Sequence, residues 1–273
     1  MISPNFFNTV FVIPTLNILV LFYKVFSTLK IPGDFGWSII ALTAFVRLIL
    51  QPFFKQQIET AKKMQDLKPH LDRLSHKHKK DPKTLQSEQM KLYKQAGINP
   101  ASGCLFMIIQ MPIFIALYQT LSLFLLNGNS TKLVDSINKV LYSPALRIQT
   151  VNPWFFGFNL ALTPAKAGLW YYYLIPVLTG VLQYLQVSVS QPPSSKTLEV
   201  DKNIKGEKKP SFAKATEGKE GGGDFQKAMN TQMKFIFPFM IGWFSYSLPV
   251  GLSLYWNIFS IFTIIQYRKV NKK

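Results

Sequence analysis

Arg47 is the residue best placed to do chemistry. It stands in Thr43-Ala-Phe-Val-Arg-Leu-Ile-Leu50 and carries the one charge between positions 35 and 54. A guanidinium stays protonated at any ordinary pH and offers several N–H donors, so its chemistry is electrostatic: it holds water and attracts anionic groups. About eight residues of helix, or roughly 12 Å, separate it from Lys55. An arginine that deep in a bilayer costs about 2.5–3.5 kcal/mol. A polar, hydrated cavity would relieve that cost. Snorkelling to the headgroups is the rival arrangement, and the distance is a long reach for it.

Four glutamines share that depth. Gln51 lies one helical turn from Arg47, Gln110 lies in the next apolar run, and Gln183 and Gln186 lie in the third. Such amides either hydrate a cavity or bond helix to helix at about 0.6 kcal/mol each. Their coincidence with Arg47 favours the cavity. Nothing else assembles as a reactive set. All 13 acidic residues lie outside the apolar runs, so no membrane-embedded carboxylate can relay protons. His70, His76 and His78 fall in a charged segment and read as solvated helix surface. Cys104 is alone, which excludes an internal disulfide and a cysteine-rich metal site. No glycine-rich phosphate loop occurs, and Pro112, Pro176 and Pro238 suit kinks and packing. No cofactor, no metal and no covalent step is expected, and the chain is not read as an enzyme.

These side chains need elements that hold them at depth. The chain is 48% hydrophobic yet carries a net charge of +18, with lysines gathered in blocks between long apolar stretches. Uncharged runs of about 20 residues match the hydrocarbon thickness of a bilayer. Five spans are expected: 35–54, 103–126, 169–190, 228–246 and 250–267. The last two divide an uncharged stretch of 33 residues at Ser245-Tyr-Ser-Leu-Pro-Val-Gly251, which supplies breaker chemistry. Residues 1–34 form an apolar N-terminal segment that suits an interfacial helix, with a sixth span as the competing reading. Its start has no lysine or arginine before the apolar stretch, so no cleavable signal peptide is expected.

Between the spans, residues 55–99 read as a helical hairpin. Ile58, Ala61, Met64, Leu67, Leu71 and Leu74 form a helical stripe, Asp81-Pro82 breaks it, and Gly97 ends a second helix. Residues 191–227, with Pro192-Pro193 and three glycines at 221–223, read as a disordered charged loop. Orientation follows from lysine and arginine counts: 55–99 holds 11, 190–231 holds 8 and the tail 268–273 holds 4, against 4 in the opposite loop 127–168. That asymmetry places the first three in the cytoplasm and 127–168 outside. The basic charge faces the membrane surface and carries no sign of specific nucleic-acid recognition.

Three motifs in order carry a family likeness. Phe35-Gly-Trp-Ser-Ile-Ile with Phe45-Val-Arg-Leu and Gln51-Pro-Phe comes first. Gly97-Ile-Asn-Pro-Ala-Ser-Gly-Cys-Leu with Ile109-Gln-Met-Pro-Ile-Phe-Ile-Ala-Leu-Tyr118 follows, and Leu248-Pro-Val-Gly-Leu-Ser-Leu-Tyr-Trp256 comes last. The chain resembles the YidC membrane insertases in a short form, without a large periplasmic domain. The resemblance implies an all-α integral membrane protein of a bacterial inner membrane, with five core spans around a hydrophilic groove open to the cytoplasm. It implies groove roles for Arg47, Gln186 and Trp256, beside which Gln51 and Gln110 are counted from depth. It implies substrate contact at Tyr172 and Tyr173, and a mobile hairpin that receives substrate. The short basic tail and the long charged insert depart from the family pattern.

The expected function is a membrane protein insertase and chaperone. Nascent membrane proteins are its clients, the lipid bilayer receives them, and the ribosome and the general secretion translocon are candidate partners. An acidic or polar client segment enters the groove, and the client's apolar helix leaves sideways along the third and fifth spans. The alternatives are a small-solute channel or transporter with Arg47 as an anion site, and a passive assembly subunit.

Overall fold

The computed structural model describes residues 5–78, 81–97, 102–126, 131–190 and 232–271. The charged insert expected at 191–227, and the first residues of the fourth expected span, lie outside these.

A π-helical turn at Asn8–Val12 runs into α1 (Ile13–Thr28), whose Pro14 sits in the first turn, where its missing N–H is not needed. The chain then reverses through Lys30 and Gly33, both with positive φ. Helix α2 (Asp34–Ile49) stops short of the boundary expected at 54. Leu50 leaves helical geometry and Pro52 opens α3 (Gln51–Lys77), so the two axes meet at 68°. A proline ring inside a continuous helix would clash with the carbonyl four residues back, which here belongs to Leu48.

Helix α4 (Pro82–Gln95) completes a hairpin with α3. Asp81 caps it, accepting from Thr84 N at 3.2 Å and Thr84 Oγ1 at 2.6 Å. Helix α5 (Ser102–Leu126) follows, then α6 (Thr131–Asn138). A short antiparallel pair, β1 (Trp154–Phe155) and β2 (Phe158–Asn159), and the single turn α7 (Pro164–Ala167) lead to a 3₁₀ turn at Trp170–Tyr173. That turn runs into α8 (Leu174–Ser190). A π-helical turn at Gln232–Ile236 precedes α9 (Phe237–Ser247). Leu248 is extended and Pro249 cannot continue the ladder, after which α10 (Val250–Asn271) begins.

Among the described residues, Asn8–Thr28, Trp170–Ser190 and Val250–Val270 are each long and apolar enough to cross a membrane. The bent pair α2–α3 passes the same test as one unit, and α5 holds the shorter apolar stretch Met111–Leu125. The chain is thus an all-α protein built for a membrane.

The core forms where α1, α2, α5 and α10 meet the segment between α5 and α8. Leu16, Leu19, Phe35, Ile39, Leu42, Leu117 and Leu121 are all almost fully buried there. Two close approaches depend on glycine. A Cβ at Gly36 would overlap the ring of Phe155, which wedges β1 against α2. A Cβ at Gly242 on α9 would lie 3.2 Å from the Pro176 carbonyl of α8, opposite Gly180. Small residues let helices touch backbone to backbone, the usual means of association inside lipid.

Candidate functional site

Arg47 ends α2 on the side where α3 departs, and its guanidinium turns toward α10. Nη1 donates to Gln266 Oε1 at 3.0 Å, and Nη2 donates to the Phe259 carbonyl at 3.1 Å and to Thr263 Oγ1. Phe259, Thr263 and Gln266 recur at three- and four-residue spacing, so one face of α10 supplies every acceptor. The cation also lies 4.2 Å from the ring centre of Phe54 and 3.9 Å from that of Phe259. Stacking of this kind is worth about 2 kcal/mol for a desolvated cation. Arg47 is only 3% exposed, and its Nε has no acceptor among the described residues.

One hydrogen bond crosses from α10 to α8: Trp256 Nε1 donates to Gln183 Oε1 at 2.9 Å. Toward the start of α10 from this bond lies a cavity of about 360 Å³ between α5, α8, α9 and α10. Phe114, Tyr118, Phe244 and Leu252 give it an apolar lining, with Trp256 among the lining residues. Its polar wall is a chain of hydroxyls. Ser245 Oγ lies 2.8 Å from Ser253 Oγ and donates to Thr179 Oγ1 at 3.3 Å. Toward the end of α8 from the Trp256–Gln183 bond, Gln186 holds a buried Oε1 with no partner among the described residues.

The expected site residues therefore separate into places. Arg47 lies deep but outside the cavity, covered by Phe54 and α10 instead of lining an open chamber. Trp256 lines the cavity, and Gln186 lies three residues beyond the indole's partner Gln183 on α8. Gln51 is exposed on α3, and the side chain of Gln110 lies outside the described residues. Tyr173 is 46% exposed and stacks on Tyr246 at 6.0 Å. Tyr172 is different: it is fully buried, and its hydroxyl accepts from Asn159 N at 2.7 Å. It ties the start of α8 to β2. Sequence reasoning did not single out Thr263, Gln266 and Phe54 as Arg47's partners, nor the hydroxyls of Thr179, Ser245 and Ser253. Thr263 and Gln266 were legible only as polar residues sharing one face of the last helix.

A helical membrane chain with a buried arginine, and with polar side chains spaced along the helices beside it, is a class that comparison with known proteins narrows. The 60Kd inner membrane protein family profile matches residues 25–273, and the chain belongs to that family. The chain is 32% identical over 243 residues to the membrane protein insertase YidC of Chlamydia caviae, covering 89% of this chain and 26% of that protein. It is 30% identical over 255 residues to the chloroplast inner membrane protein ALBINO3 of Arabidopsis thaliana, covering 89% and 48%. Against the membrane protein insertase YidC of Oceanobacillus iheyensis it is 28% identical over 278 residues, covering 99% and 87%. The chain thus spans about a quarter of the first of these relatives and about half of the second.

Proposed function

We propose that this chain is a membrane protein insertase and chaperone of a bacterial inner membrane. Five core spans, drawn from α2, α5, α8, α9 and α10 and their flanking turns, surround a groove that opens to the cytoplasm. The hairpin α3–α4 and the C-terminus lie on the cytoplasmic side, as the lysine and arginine counts require. α1 lies along the outer interface. Asn17 bonds Val140 O and Tyr142 N, and Tyr23 bonds Thr150 O. Asn17 and Tyr23 stand about 9 Å apart along α1, so the helix lies against the 140–150 segment over more than a full turn.

The observation that carries the function is the buried Arg47, a cation that finds only neutral acceptors among the described residues. An acidic client segment that displaces the Phe54 cover supplies the anion this cation lacks, and Gln51, Gln110 and Gln186 replace water along its path. The client's apolar helix then passes Trp256 and Tyr173 and leaves into lipid along α8 and α10. No bond is made or broken. Nascent membrane proteins are the clients, delivered by the ribosome or from the general secretion translocon.

The test is insertion of a single-span, acidic-tailed client into vesicles that carry the purified chain. Arg47→Ala and Arg47→Glu should abolish most insertion, and Arg47→Lys should retain much of it. Unchanged insertion by Arg47→Glu would reject the electrostatic account.

A further inference from the structure

The pair β1–β2 closes with a turn of unexpected composition. Phe155 pairs with Phe158, leaving Phe156 and Gly157 as a two-residue loop. Both have positive φ, 46° and 86°. This is the hairpin turn that favours Asn-Gly, because both central residues must be left-handed. Phenylalanine in that backbone is strained. Burial does not compensate it, since Phe156 is 72% exposed. An asparagine would relieve the strain and remove the exposed ring together.

The surroundings fix where this ring sits. It meets the edge of Trp37 at 6.2 Å between centres, and Trp37 belongs to the first turn of α2. On the other side, Tyr171 Oη donates to the Gly157 carbonyl at 3.4 Å, just ahead of α8. The tip is therefore held between the outer ends of two helices that enter the membrane. Trp154 is 51% exposed in the same hairpin, and Trp170 is 75% exposed beside Tyr171. Residues 148–165 contain no charged side chain, so nothing at the tip recruits a charged partner. The exposed rings continue the apolar flank of α8, where Val177 and Val181 are also exposed.

We infer that this tip is a lipid anchor: Phe156, Trp154 and Trp170 insert at the headgroup–acyl boundary of the outer leaflet. Aromatic rings are favoured at that depth, and the strained phenylalanine is retained because its ring is solvated by lipid. The anchor fixes the outer ends of α2 and α8 relative to the membrane plane without anionic lipid. This inference rests on the chain spanning a bilayer and is independent of insertion activity.

The experiment uses the full chain with Cys104→Ser, in nanodiscs of zwitterionic phosphatidylcholine. Nitroxide is attached through Phe156→Cys, with Gln149→Cys as the aqueous reference and Val177→Cys as the lipid reference. Collision with oxygen relative to a water-soluble nickel chelate should be several-fold higher at 156 than at 149, and unchanged when anionic lipid is added. A ratio equal to that at 149 would overturn the anchor and leave the tip as a water-facing surface for another protein. Should the cysteine variant fail to fold, Phe156→Trp is read as a difference in emission against the parent. Chains brominated near the headgroup should quench that added emission, and no quenching would also overturn the proposal.

Discussion

Trp256 and Gln183 are joined by a hydrogen bond of 2.9 Å that ties α10 to α8. The bond stands between two polar sets. On one side Thr179, Ser245 and Ser253 join Phe114, Tyr118 and Leu252 around the cavity. On the other come Gln186 and then the Arg47 cluster. An indole needs its N–H satisfied when half-buried, and Gln183, itself 3% exposed, has little other use there.

Gln183→Leu should release the Trp256 ring. The expected loss of stability is about 0.6 kcal/mol, read from unfolding in mixed micelles. Trp256 emission should broaden in a background where the other tryptophans are phenylalanine. Client insertion should fall with it, whereas Gln183→Glu, which keeps an acceptor, should preserve the ring position.

Thr263→Val and Gln266→Leu each remove an acceptor from the Arg47 guanidinium. A buried charged donor left without its partner costs about 1–3 kcal/mol, so each variant should unfold earlier than the parent. The two losses should not add, because both act on one cation. A double-mutant cycle with Arg47→Met measures this: the Thr263 and Gln266 effects should shrink once the charge is gone.

Gly242→Leu should push α9 away from α8. The side chain would meet the Pro176 carbonyl, 3.2 Å from its Cβ, and overpacking of this kind costs about 1–3 kcal/mol. Gly97→Ala provides a contrast, since its Cβ would meet nothing within 4 Å although its φ is 63°. A crosslink between cysteines on α8 and α9 should form more slowly in the Gly242 variant only.

Asp81 links the hairpin to pH. Hydrogen bonds from Thr84 hold its carboxyl below the usual carboxylate range. The folded value is depressed, so the cap contributes fully above the ordinary aspartate range and is lost as pH falls through the folded value. Amide exchange in the first turn of α4 should therefore quicken, beyond its intrinsic pH dependence, as the solution is acidified through that window. Asp81→Ala should remove the effect.

What the sequence made legible was whatever is written locally. The 33-residue uncharged stretch carries its own breaker residues, and helix stops at Ser247 and resumes at Val250. Arg47 announces itself because a charge in an apolar run is costly. Its partners do not, because Thr263 lies 216 residues away and Gln266 lies 219 away. Only packing brings α2 against α10. The three consecutive tyrosines show the same limit. In a 3₁₀ turn they fan apart, so Tyr172 turns inward to Asn159 while Tyr173 reaches Tyr246. Nothing in Tyr-Tyr-Tyr says which one stays outside. The break at Leu50 was missed because Pro52 lies inside a run whose hydropathy continues unbroken.

The contact of Gly180 with Gly242 closes α8 against α9. Backbone pressed on backbone leaves no slit for a lipid tail or a passing segment. A cavity lined by Phe114 and Tyr118 lies beside that seam, with Thr179 of α8 and Ile241 of α9 in its wall. Two missing side chains thus turn α8 and α9 into a single wall, shut along its seam.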